Sequence, residues 1–358
     1  MTTSHTTTLS RETAVLDAAE LLEEMLRIPS VSGRESALSG FLAARLADAG
    51  FDTFIDAAGN LVASWGRGDE VVALVGHLDT VPGEVPVRRA GDRLYGRGAV
   101  DAKGPLAATL TAVARQPSDA GRRFTVIGAV EEETSSCGAH HLAATLVPPP
   151  HLVILEPSGA DGITIAYKGS VRLRWSRVQD AGHGAGPASS AADAAFAFVR
   201  ALQNHAIAWS GDTSLFERLD VRVLACDARS DGLQDRAEVE VALRVPLTYP
   251  MANLLRDVQS LAGAGDLRVL SQEPPVRTDR ASHLARSFVQ AIREHGGSPR
   301  FKLKTGTSDL NILAPAWNCP AVAYGPGRSL LDHTPDEHIE IPDLERAVDV
   351  LDSVLRRL

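Results

Sequence analysis

The sequence predicts an α/β fold interrupted by a smaller α+β unit, and three observations carry that expectation. In the first and last parts of the chain, short apolar runs ("NLVASW", "VVALVG", "RFTVIGAV", "HLVILE", "AVAYG") are interleaved with stretches of helical periodicity. Strands that are apolar throughout and separated by helices belong to a sheet covered on both faces. From Tyr167 the texture changes, because "KGSVRLRWSRVQ" alternates apolar and polar residues as a half-exposed strand does. The elements that follow read β-α-β-β-α-β, a ferredoxin-like unit, before the α/β texture resumes after "PPVRTD". The expected division is therefore 1–167 and 278–358 as one domain, with 168–277 inserted into it.

Taken in order, Thr2–Thr8 is a Ser/Thr-rich lead without a core-forming pattern. Val15, Leu16, Ala19, Leu22 and Leu26 recur at helical spacing and predict a helix over Glu12–Arg27, ended by "IPSVSG". A second helix is expected over Glu35–Ala49, and a third over Pro105–Arg115 with proline in its first turn. In the insert, the strand from Lys168 leads to a helix over Ser190–Asn204. The strands "RLDVRVLACDAR" and "AEVEVALRVPL", a helix over Ala252–Leu261 and the strand "DLRVLSQ" complete it. The closing part reads as a helix over Ser282–His295, strands "RFKLKT" and "AVAYG", and a helix over Asp343–Arg357. There is no internal repeat.

Composition narrows the function. A chain of 358 residues can build two cores. A net charge of -9 offers no basic excess to displace counterions from phosphates, which argues against nucleic acid as a partner. No apolar run is long enough to span a membrane, and the start has neither a basic nor an apolar leader pattern. Cys137, Cys226 and Cys319 are odd in number and form no CxxC, which points to a reducing, cytoplasmic setting and away from a thiolate metal site.

The chemistry gathers at the ends of apolar runs. "VVALVG" ends in His77, "RFTVIGAV" in Glu131, Glu132 and Glu133, "HLVIL" in Glu156, and "AVAYG" in a loop that reaches His333. In open α/β sheets ligands collect beyond the carboxyl ends of strands, so these residues can converge. A Gly-rich loop, "YGRGAVDAKGPLAA", carries Asp101 into a helix between the first two. Two imidazoles and three carboxylates suit two divalent cations, each with one histidine and one terminal carboxylate, and with Asp101 shared. Nitrogen and oxygen donors without thiolate fit Zn²⁺, Co²⁺ or Mn²⁺, a choice the residues leave open. With Glu133 a ligand, its neighbour Glu132 is left to move a proton.

In order and approximate separation, "GHLDTVPG", "LYGRGAVDAKGPLAA", "EEETSSCGA", "LEPSG" and "DHTPDE" resemble the dinuclear metallo-aminoacylase and carboxypeptidase family, over nearly the whole chain. That resemblance implies a zinc-exopeptidase-like catalytic domain with an inserted ferredoxin-like lid and dimerisation domain, and hence a homodimer. It implies that His77, Asp101 and Glu156 hold one cation and that Asp101, Glu133 and His333 hold the other. Glu132 would then be the general base and Asp79 the support of His77. "GHGAGP" (182–187) looks like the family's lid loop, whose histidine stabilises the oxyanion in a partner's site, a role that falls to His183.

Other signals are set aside. "GRGAVD" has Asp101 where a dinucleotide fingerprint needs its last glycine, and there is no G-x-S-x-G elbow. His140, His141 and Cys137 read as surface or packed residues.

Within the family, "KTGTSDLNIL" and "AVAYGPGRSLLDHTPDEHIE" look most like hydrolases that release lysine or ornithine from a small acidic amino-group carrier protein. The amide cut there joins the amino acid to the carrier's terminal glutamate. A deacylase of small N-acyl amino acids, or a metallodipeptidase, is the alternative. An acidic substrate protein asks for basic surface, which Arg300, Lys302 and Lys304 on one strand face and Arg172 and Arg174 on another supply. Blunting of exposed strand edges accounts for the same residues equally well. Asp309 can meet a side-chain ammonium and Arg244 a carboxylate, while Asp309 as a support residue and Arg244 as an ordinary surface arginine stay open.

Overall fold

The computed structural model describes residues 16–119, 121–183 and 189–358, and divides into two compact units. The first comprises residues up to Ile163, Ala281–Arg300 and Ala323–Leu358. The second comprises Thr164–Arg280 and Phe301–Val322. The expected insert, 168–277, lies inside the second unit, which also takes in the segment after Arg300.

The first unit is built on strands in the order Asp52–Ile55, Leu61–Trp65, Arg122–Ala129, Glu70–His77, His151–Ile154. The first two pairings are antiparallel, and the last three strands run parallel. Register decides where the chemistry falls. His77 lies beside Ala129, and Val75 beside Ile154, so His77, the glutamates after Ala129 and Glu156 leave the sheet at the same end of their parallel strands. A one-residue slip would turn each of these side chains to the other face.

The helix Lys103–Ala114 is buried on almost every side. It packs against the helices Ala18–Leu26 and Ile341–Leu355. It begins two residues ahead of Pro105. Asp17 caps the helix Ala18–Leu26, accepting from the N–H groups of Ala19 and Glu20. The part of the expected helix before Leu16 lies outside the described residues.

The second unit holds an antiparallel sheet in the order Asp220–Ser230, Gln234–Val245, Gly169–Asp180, Asp266–Glu273, with helices Ala191–Ser210 and Met251–Leu261 between strands in the chain. This is β-α-β-β-α-β with the ferredoxin-like strand order. Its core is apolar and centred on Trp175, which stacks on Phe198 at 5.6 Å and donates from its indole to the Ala262 carbonyl at 2.9 Å. Gly265 approaches that indole so closely that a Cβ would overlap it. The helix Ala191–Ser210 runs six residues past the expected Asn204, because no breaker precedes Gly211. The helix Leu310–Trp317, with Pro315 inside it, was not expected from the sequence, since proline masked its apolar run.

Candidate metal centre

The centre lies wholly within the first unit. His77 is buried at the end of its strand. Its Nδ1 donates to the Asp79 carbonyl at 2.9 Å, leaving Nε2 to face Asp101 Oδ1 at 3.1 Å and Glu156 Oε1 at 3.8 Å. A backbone partner on one ring nitrogen sets which nitrogen remains for a ligand. The other oxygen of Asp101, Oδ2, lies 3.2 Å from His333 Nε2, which is 2.8 Å from Glu133 Oε1. One aspartate thus presents its two oxygens to two imidazoles, each flanked by a further carboxylate. Among the described residues, three trios have donor atoms within 4.8 Å of one another: His77–Asp101–Glu156, Asp101–Glu133–His333 and His77–Glu132–Glu133.

Charge tests whether cations fit. Asp79, Asp101, Glu132, Glu133 and Glu156 surround two imidazoles. In the chain by itself, burial opposes a charge on His77, but hydrogen bonds to Asp101 and Asp79 and the charge of Glu132 outweigh it and hold His77 well above the usual imidazole range. Hydrogen bonds to Asp101 and Glu133 push His333 up to about 10. A field that retains protons on these nitrogens attracts a dication to the same place, with proton and metal in competition. The donors are nitrogen and oxygen only, the set suited to zinc and its neighbours rather than to soft ions.

A layer of buried carboxylates holds this set. Asp79 has no exposed surface. Its Oδ1 accepts the Glu132 N–H and its Oδ2 the Glu133 N–H, both at 3.0 Å, and Ser32 Oγ donates to Oδ2 at 2.7 Å. Burial opposes its charge, but the contacts with His77, Ser32 and the Glu133 amide keep its carboxyl below the usual range. Glu337 accepts from the N–H groups of Gly98, Val100 and Asp101 at 3.0–3.2 Å, and its second oxygen meets Arg97 at 2.7 Å. Lys103, pushed down to about 8 by burial, donates to the carbonyls of Met25 and Ile28 at 3.2 and 2.9 Å. Glu131 and His333 have left-handed backbone, with φ of 58° and 60°, a conformation costing a non-glycine residue about 1–3 kcal/mol that only surrounding contacts can sustain.

Of the residues expected from sequence, the five metal-capable ones, Glu132 and Asp79 come together here. Sequence reasoning missed Glu35, Asn60, Arg97, Lys103 and Glu337. Glu337 stands inside "DHTPDE", and Glu35 lies two residues after "IPSVSG"; an acid beside a ligand loop was the available signal. The remaining candidates belong to the second unit or to the strand entering it. His183 is exposed, and Gly184–Pro187 of its loop lie outside the described residues. Asp309 is buried, and Arg244 donates to Thr307 Oγ1 at 2.9 Å. Arg172 and Arg174 both bond Glu240, while Arg300 and Lys302 are exposed along the strand Arg300–Lys304, whose Lys304 lies over the Tyr167 ring.

Residues 73–357 match the sequence profile of peptidase family M20/M25/M40. The chain belongs to this family. Among curated relatives, a "[LysW]-lysine hydrolase" of Deinococcus radiodurans is 42% identical over 95% of this chain and 97% of its own. A "[LysW]-lysine/[LysW]-ornithine hydrolase" of Sulfurisphaera tokodaii is 28% identical over 94% of each. In fold, the chain is similar to an M20 family metallo-carboxypeptidase from Sulfolobus solfataricus (TM-score 0.79, 17% identity, 95% and 98% coverage). A tripeptidase from Staphylococcus aureus matches at a TM-score of 0.76, with 19% identity and 97% and 98% coverage. The M20 chain is thus a member of a metal-dependent hydrolase family with a donor cluster in keeping with it. Among the described residues, no helix is long and apolar enough to cross a membrane.

Proposed function

We propose that this M20 protein is an amidohydrolase that releases lysine, ornithine or both from an acidic amino-group carrier protein, by cutting the amide to the carrier's terminal glutamate. The observation that carries the hydrolytic part is the placement of Asp101 between two imidazoles, Oδ1 toward His77 and Oδ2 toward His333. The substrate is supported by the names of the relatives, 42% identical in the nearly full-length match to the Deinococcus radiodurans protein.

In this reading His77, Asp101 and Glu156 hold one cation, Asp101, Glu133 and His333 hold a second, and Zn²⁺ is the proposed metal, with Co²⁺ or Mn²⁺ able to replace it. Two such ions supply Lewis acidity toward the amide carbonyl and a lowered pKa for water. Glu132 accepts a proton from the attacking water as its oxygen bonds to the amide carbon. As the C–N bond breaks, Glu132 returns that proton to the departing amine, and the new carboxyl group on the carrier gives its own proton to the amine, leaving a carboxylate and an ammonium. Asp79 anchors this base, because its oxygens take the N–H groups of Glu132 and Glu133.

We place dimerisation and lid action in the 168–277 insert. Val223 and Leu224 on the edge strand Asp220–Ser230 leave apolar surface exposed, which supports an interface there. His183 would stabilise the oxyanion, Asp309 and Arg244 would meet the amino acid, and the basic strand residues would meet the carrier, in a cytoplasmic setting.

The test is a side-by-side assay of zinc-loaded protein on carrier-lysine, carrier-ornithine, acetyl-ornithine, succinyl-diaminopimelate and a dipeptide. Carrier conjugates are expected to turn over fastest. Faster turnover of the small amides would replace the carrier reading with that of a small-molecule deacylase or dipeptidase.

A further inference from the structure

Four consecutive backbone N–H groups, just past the end of the strand Arg122–Ala129, each meet a side-chain oxygen. Val130 donates to Asn60 Oδ1 at 3.0 Å and Glu131 to Glu35 Oε1 at 3.2 Å, while Glu132 and Glu133 donate to the two oxygens of Asp79 at 3.0 Å. No ladder or helix uses these donors, so three side chains from separate segments dictate the path of the turn. Two of the three are themselves fixed. Asn60 Nδ2 donates to Asp56 at 2.8 Å and to the Gly138 carbonyl at 3.2 Å, and Asp79 is tied to Ser32 and His77.

The third, Glu35, departs from its local role. It occupies the N-cap position of the helix Ser36–Asp48 but makes no capping bond with its side chain. The residue is instead buried, at 5% exposure, and its carboxylate takes the N–H groups of Glu131 and, at 2.9 Å, Gly33. Gly33, at φ 81°, lets the preceding loop double back to make this possible. The amide Glu35 holds belongs to the residue with left-handed backbone, and that residue's carbonyl in turn accepts from the N–H groups of Thr134 and Ser136. A side-chain oxygen that accepts this N–H helps to sustain the unfavourable φ.

We propose that Glu35 is a positioning residue for Glu132 and Glu133: by fixing the Glu131 amide it sets the direction in which the next two carboxylates leave the chain. The inference rests on the reading of Glu132 as proton carrier and Glu133 as metal ligand. Two readouts test it, calorimetric titration of the metal-free protein with Zn²⁺ and steady-state hydrolysis of carrier-lysine.

Glu35→Ala should weaken zinc binding and lower kcat, each by about 10–100-fold, with KM little changed. Glu35→Gln, which retains an acceptor oxygen, should recover most of both losses. Glu35→Asp, which keeps the charge but withdraws the oxygen by one methylene, should fall between, and these two variants decide the matter if the alanine variant does not fold. Wild-type zinc affinity and kcat in Glu35→Ala would overturn the proposal, as would a glutamine variant as deficient as the alanine one. If the wild type binds zinc but hydrolyses nothing in the substrate panel, the hydrolase reading falls, while the zinc titrations still judge Glu35.

Discussion

In the first unit Glu35, Asp79, Glu156 and Glu337 are buried carboxylates, whereas the sheet of the second unit keeps Glu238 and Glu240 opposite Arg172 and Arg174 along its strands, over a core with Trp175 at its centre. Residues that make a fold are thereby separated from those that make a site. Exposed cross-strand ion pairs cost little to assemble and contribute little. A buried acid is expensive unless its oxygens are satisfied, so a group of them, satisfied by ligand-loop N–H groups and imidazoles, marks where the chain gives up stability for chemistry.

The contrast between the two units can be tested at both. Removal of divalent cations with a chelator should abolish hydrolysis, and re-addition of Zn²⁺ should restore it. Zinc at 100 times its dissociation constant should also stabilise the fold by about 2.7 kcal/mol, read as a rise in melting temperature. Hydrolysis that survives exhaustive chelation would deny the buried acids their stated purpose. Glu132→Ala should lower kcat by about 10²–10⁴-fold while metal analysis finds the cation content of the wild type.

In the second unit, Trp175→Ala removes the centre of the apolar core and should cost about 3–5 kcal/mol, measured by denaturant unfolding. Zinc titration of the folded variant should match the wild type, and a loss of zinc binding would erase the division of labour between the units. The smallest effect expected is at the basic strand: charge reversal of Lys302 and Lys304 together should lower kcat/KM for carrier-lysine by about tenfold, an effect on encounter that salt diminishes. Small acyl-lysines should be unaffected, and equal slowing of both substrates would remove carrier docking from these residues.

Legibility differed between the layers of the site. His77 and Glu156 could be found because each ends an apolar run, and the glutamate run because three acids after a buried strand need an explanation. Glu35 and Glu337 could not be found by that logic. Each is held in part by backbone N–H groups far away in the chain, 96 and 236–239 positions respectively, and a backbone group has no residue type to read. The helix Leu310–Trp317 escaped for a local reason, its Pro315, and the end of the helix Ala191–Ser210 was placed short because periodicity weakens before the stop signal arrives.

The alternation of buried strands and helices, the half-exposed strands of the insert and the residue types available for binding cations can be read along the chain, because side-chain period and chemistry are local properties. The meeting of His77, Glu133 and Glu156 at one end of parallel strands, and the turning of one Asp101 oxygen to His77 and the other to His333, exist only in the folded chain. Those are distances between atoms remote in the chain, set by packing and by hydrogen bonds to the backbone, and no local pattern encodes them.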